Sequence, residues 1–144
     1  MGRKIGLLMA VFALWGMQGC GNSATAVSAV TIDQLTGTWD IMGSGTQNTG
    51  ACQGVPNCPM SFAGTMTINT NGSVSMNRTN HTFTGDTSIS DNGTLNVSFI
   101  GHGTMSFTSS GEVYEIQFSR NLEIATFANI TNASVFVSGM AVRR

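Results

Sequence analysis

One phrase is written three times in this chain. Residues 64–76 read GTMTINTNGSVSM, residues 85–97 read GDTSISDNGTLNV, and residues 103–115 read GTMSFTSSGEVYE. In each copy an alternating apolar/polar run meets Asn71-Gly72, Asn92-Gly93 or Ser110-Gly111 and then alternates again. Alternation at period two puts every second side chain on one face of a strand. Asn-Gly between two such runs supplies the positive φ angles that a two-residue hairpin turn needs. The phrase therefore reads as a β-hairpin. A fainter fourth copy, TNASV at 131–135, and an opening strand, GTWDI at 37–41, bring the expected count to about nine strands, within a range of eight to ten.

Consecutive hairpins make a meander, and a long meander removes its unpaired edges most simply by closing on itself. The expected fold is all-β: an antiparallel up-and-down meander of hairpins closing into a barrel of 8–10 strands. No helical period is found after residue 20. Only 9% of residues are charged, but 41% are hydrophobic, so the chain can build a core and is not read as disordered. One strand face collects Trp39, Ile41, Phe62, Met66, Ile68, Val74, Met76, Phe83, Ile89, Leu95, Val97, Phe99, Met105, Phe107, Tyr114, Ile116, Phe118, Leu122, Ile124, Val135 and Val137, and the opposite face is mostly Thr, Ser and Asn. A membrane-spanning barrel needs an apolar outer face with aromatic girdles. The pattern here predicts the reverse, apolar inside and wet outside.

The N-terminus carries an address. Arg3 and Lys4 precede an apolar run, Ile5–Trp15, and a short small-to-polar stretch leads to Cys20. That is the order of a secretory signal, and the run is too short for a confident membrane span. LWGMQGC at 14–20 resembles the lipobox of bacterial lipoproteins, departing from it at Met17, where Leu is commonest. The resemblance implies a signal peptide at 1–19, lipidation of Cys20, a lipidated-Cys-and-tether segment at 20–34, and a barrel domain at 35–144. It also implies a bacterial cell-envelope protein held to the membrane through its N-terminal lipid; Gly21 in place of Asp points to the outer membrane. The alternative is an ordinary secreted chain. Three cysteines is an odd number for an exported protein. If Cys20 takes lipid, Cys52 and Cys58 remain as a pair, and an oxidising compartment favours their disulfide.

LTGTWDI at 35–41 is similar to the first strand of the calycin superfamily, which includes lipocalins, fatty-acid-binding proteins and avidins. Gly37 and Trp39 match the Gly-x-Trp of those families. The resemblance implies that Trp39 plugs the closed end of a barrel, with Arg143 or Arg144 from the last strand packed over it. The lipocalin Thr-Asp-Tyr signature, a C-terminal helix and the helical cap of fatty-acid-binding proteins have no counterpart in the sequence. The several tryptophans of an avidin biotin site are missing as well, so biotin binding is not implied.

The remaining chemistry is sparse. After residue 19 the chain keeps four arginines against seven acids and has no basic run, so no nucleic-acid partner is expected. His81 and His102 stand alone and read as surface, so no metal and no cofactor are expected. No Gly-x-Ser-x-Gly elbow occurs, and no catalytic residues are identified. The protein is read as non-enzymatic. Met66, Met76 and Met105, with Phe107, form the candidate ligand cavity; methionine suits a pliable apolar pocket. A barrel of eight strands is just wide enough either to pack solid or to hold one small ligand. Two functions follow: binding of a small apolar ligand inside the barrel, or a structural, interaction or inhibitor module whose loops contact another envelope or secreted protein.

Overall fold

The computed structural model describes residues 29–47, 57–98, 100–131 and 135–144. They form one helical turn and eight strands. The elements are α1 (Ile32–Leu35), β1 (Gly37–Gln47), β2 (Cys58–Ile68), β3 (Ser73–Thr82), β4 (Gly85–Val97), β5 (His102–Phe107), β6 (Val113–Phe118), β7 (Ile124–Asn129) and β8 (Val135–Arg143). Each strand pairs antiparallel with its neighbour in sequence, and β8 returns to β1 to close the barrel. The buried apolar side chains form one cluster drawn from α1 and from all eight strands. The barrel thus carries a complete core of its own.

Alternation does most of the work. On β2 the buried residues are Cys58, Met60, Phe62, Met66 and Ile68; on β6 they are Tyr114, Ile116 and Phe118. Two of the repeated phrases are hairpins. The turn between β2 and β3 holds Gly72 at φ 80°, with its amide donating to the Asn69 carbonyl. The turn between β5 and β6 holds Gly111 at φ 68°.

The second copy is not a hairpin, which is why the barrel has eight strands rather than nine. Asn92 and Gly93 run straight through β4, a single strand of 13 residues. Gly93 pairs with Val74 on β3 and with Phe107 on β5. A Cβ at Gly93 would collide with the Ser106 carbonyl. Here glycine serves close strand approach, and the ladders on both sides outweigh the local turn preference. Two residues expected inside are also outside, and a third, Phe99, falls outside the described residues. Phe83 sits exposed in the β3–β4 turn. Ile124 is exposed because Leu122, at φ 57°, turns the chain and resets the alternation, so Ala125, Phe127 and Asn129 face inward instead.

The meander gives the barrel two different ends. The β2–β3, β4–β5 and β6–β7 turns lie at one end with α1 and Arg143; the β3–β4 and β5–β6 turns, the last residues of β1 and β7 and the first residues of β2 and β8 lie at the other. We call these the closed and open ends. Residues 29–34, expected to end a featureless tether, enter the fold at the closed end. Thr31 and Gln34 take the first and last places of a T-x-x-Q capping pattern, and the Thr31 amide donates to Gln34 Oε1 at 2.9 Å. Leu35 is fully buried.

Near the open end one carboxylate pins a turn. Asp91 on β4 accepts hydrogen bonds from the amides of Asn92, Ser109 and Ser110 at 2.8, 3.0 and 2.9 Å. Burial opposes its charge, but the hydrogen bonds from Ser110, Ser109 and Asn92 outweigh it and hold the carboxyl down at about 2. A carboxyl held below its unfolded value stabilises the fold above about pH 4, and that contribution is lost as pH falls toward 2. Asp91→Asn is expected to lower the unfolding free energy by roughly 2 kcal/mol at pH 7. Urea titrations at pH 7, 4 and 2 will show the variant losing less stability on acidification than the parent.

Candidate functional site

The barrel interior is built in three layers. The lowest is the plug. Trp39 is fully buried, its indole N–H donates to the Leu35 carbonyl at 3.0 Å, and its ring meets Phe118 edge-on at 5.5 Å. Trp39 and Arg143 are register partners on β1 and β8, and the Arg143 guanidinium lies 5.8 Å from the indole centroid. Arg143 donates to the carbonyls of Gln34 and Thr36 at 2.9 and 2.7 Å, so it clasps α1 over the closed end. Arg144 instead pairs with exposed Asp40.

The middle layer brings Met66, Met76 and Met105 together with Ile41, Tyr114 and Phe127. The gap among them has no room for a water molecule. Phe107 is buried beside it and meets the Tyr114 ring edge-on at 5.9 Å. The candidate ligand cavity is therefore a packed apolar floor in this structure.

The upper layer is polar, contrary to the expectation of a wholly apolar interior. Arg78 and Asn80 on β3 continue the inward parity of Val74 and Met76. Both are buried, as are Asn129 at the end of β7 and Gln47 at the end of β1. Arg78 reaches across the barrel: Nη1 donates to the Tyr114 hydroxyl at 2.6 Å and Nη2 to Glu112 Oε2 at 2.8 Å. The Tyr114 hydroxyl donates to the same Glu112 oxygen at 2.8 Å, and the Phe62 ring lies 5.6 Å from the guanidinium. Burial works against the Arg78 charge, but the facing Tyr114 and Glu112 outweigh it and raise the pKa. Burial pushes the Tyr114 hydroxyl up to about 12, so it stays a donor at neutral pH. Among the described residues, Arg78 Nε, Asn80 Oδ1 and Asn129 Nδ2 in this layer are buried without a hydrogen-bond partner. Buried polar groups are nearly always satisfied, so each of these calls for a cause. Parity counted outward from Met76 is the sequence signal that reaches Arg78 and Asn80; Asn129 lies beyond the reset at Leu122, where no sequence signal reaches it.

Other residues singled out in the sequence lie apart from this layer. Cys20 and Cys52 fall outside the described residues; Cys58 is buried at the start of β2, at the open end. His81 is exposed and sits 2.8 Å from Asp86, and His102 is exposed on β5. Among the described residues no group of three or more His, Cys, Asp or Glu could hold a metal ion, and no helix is long and apolar enough to cross a membrane. On the outer face, Met42, Met140, Val142 and Ile124 are exposed on adjoining β1, β8 and β7. Met42 and Met140 border a shallow saddle of about 650 Å³ with Glu115, Gln117 and His102 on its far side.

No protein-family model and no curated protein matches the chain. Solved structures do. The redesigned β-barrel mFAP1, bound to DFHBI, is 14% identical with a TM-score of 0.50, over 78% of this chain and 98% of that one. A de novo designed fluorescence-activating β-barrel is 15% identical with a TM-score of 0.47, over 78% and 96%. The siderocalin Ex-FABP is 8% identical with a TM-score of 0.45, over 77% and 74%. At such identities the likeness to mFAP1 shows the fold, an eight-stranded barrel.

Removing one partner of a buried ion pair strands the other. Arg78→Met is expected to cost roughly 3 kcal/mol, while adding Glu112→Gln to it recovers part of that loss. A double-mutant cycle by urea denaturation measures the coupling; simple additivity would mean that the pair is not formed.

Proposed function

We propose that this protein is a lipid-anchored envelope lipoprotein whose barrel binds a small molecule at its open end without transforming it. The observation that carries this is the trio of buried, partnerless polar atoms, Arg78 Nε, Asn80 Oδ1 and Asn129 Nδ2. An unmet buried donor or acceptor costs roughly 1–3 kcal/mol, and a ligand that supplies the missing partner removes that cost. The ligand sits on the methionine floor rather than within it, and methionine side chains adapt to what lies on them. In mFAP1 a barrel of this architecture accommodates DFHBI.

The anchor rests on LWGMQGC and Cys20. Val30 lies against Gly101 at the closed end. The stretch from Cys20 to Ala29 spans at most about 30 Å, so the lipid would hold the closed end nearest the membrane, leaving the open end pointing away. Cys58, bonded to Cys52, would brace the β1–β2 loop beside the open end. The second reading, contact with another envelope or secreted protein, is favoured by the exposed apolar stripe of Met42, Met140, Val142 and Ile124.

Two measurements test the reading. The full chain made in a Gram-negative host is expected to incorporate labelled palmitate, and Cys20→Ala is expected to abolish it; label retained in the variant removes the anchor. Residues 21–144 purified from a periplasm and sprayed under native conditions are expected to carry a stoichiometric small-molecule adduct that organic extraction releases. A bare mass that no added small molecule alters would transfer the function to the outer face.

A further inference from the structure

We infer that the open-end site selects uncharged, hydrogen-bonding ligands of the carboxamide or lactam type over anions, and that Glu112 makes the selection. The inference rests on the binding reading above. An unpartnered arginine inside an apolar barrel would draw a carboxylate or phosphate, because its planar fork matches two oxygens at once. Arg78 already has its counter-ion. Its Nη1 is engaged by Tyr114 at 2.6 Å and its Nη2 by Glu112 at 2.8 Å, and Tyr114 also donates to Glu112. Two of its five N–H groups are engaged, and its charge is matched one for one by Glu112, so an incoming anion would have to compete with Glu112.

What remains on offer is neutral in character. Arg78 Nε and Asn129 Nδ2 are donors; Asn80 Oδ1 is an acceptor. An amide or lactam carries the complement, a carbonyl for a donor and an N–H for the Asn80 oxygen. A carboxylate offers only acceptors and leaves Asn80 unmet. Reaching Nε would also bring it close to the Glu112 carboxylate, where water is scarce and like charges repel strongly. The wider field has the same sign. Asp86, Asp91 and Glu112 lie in the open half, where Arg78 is the one arginine among the described residues; Arg120, Arg143 and Arg144 lie at the closed end. Charge of one sign around a mouth repels entering ions of that sign.

The experiment uses residues 21–144, which contain the whole barrel and its core. Nile red, an uncharged dye, is titrated first; decanamide and decanoate, alike except for the head group, are then used to displace it. Decanamide is expected to displace the dye at a concentration at least tenfold below decanoate. In Glu112→Gln, which frees the Arg78 charge while keeping a side chain of the same shape, decanoate is expected to gain at least tenfold, with decanamide changing less than threefold. Met42→Ser/Met140→Ser, altered only on the outer face, is expected to reproduce the parent constants. Equal displacement by the two compounds in the parent overturns the inference without any variant, and so does an unchanged ratio in a folded Glu112→Gln. Dye that no compound displaces, or dye that never binds, overturns the binding reading together with the inference.

Discussion

Everything inside this molecule depends on the seam where β8 meets β1. The ladder runs from Trp39 opposite Arg143 to Gln47 opposite Val135, and without it the sheet would have two raw edges and no interior. Glycine recurs along the seam, at Gly43, Gly45 and Gly139. A Cβ at Gly43, Gly45 or Gly139 would collide with the facing backbone, at Ser138, Phe136 and Met42 respectively. Across that bare stretch the Phe62 and Phe127 rings pack 6.0 Å apart, the Phe62 ring close against Gly43 and the Phe127 ring close against Gly139. The aromatic rings fill the space that side chains on β1 and β8 would otherwise take, so backbone proximity and core packing are two sides of one contact.

Closure at eight strands sets how wide the interior can be, and the layering follows from that width. Side chains from opposite walls can touch, which is how Arg78 on β3 reaches Tyr114 on β6. Each layer then solves a different problem. The plug satisfies an indole N–H and an arginine with the backbone of one short helical turn. The methionines fill an irregular gap that stiffer side chains would leave partly empty. The polar layer holds a charge pair together with unmet hydrogen-bonding atoms, and it is the layer in which the packing rules are left incomplete.

Which parts of this can be read from the sequence follows from one variable, the parity of the alternation. Where parity runs unbroken from a confident anchor, the reading holds: Val74 and Met76, or Tyr114, Ile116 and Phe118, face inward as the pattern says. Where a turn resets it, the reading fails. Leu122 at positive φ carries Ile124 to the outside, and nothing in LEIATF marks that reset before the backbone is seen. Asn92-Gly93 misleads for a different reason. A local turn preference competes with long ladders on both sides of β4, and the ladders are tertiary information. Arg78, Asn80 and Glu112 are within reach of parity, but a rule that sends every polar residue outward passes over them, and Asn129 lies beyond the reset at Leu122.

The polar layer runs against stability. A buried ion pair is at best a weak source of folding free energy, and apolar side chains of similar volume at such positions often serve as well or better. Leucine or methionine at 78, 80 and 129 would extend the floor upward, remove three unmet polar atoms and finish the core as a solid plug. The chain instead places buried polar groups in the half of the barrel farthest from the Trp39 plug. Under the proposed binding reading, a guest reaching this layer would meet unmet hydrogen-bonding atoms above a floor of adaptable methionines.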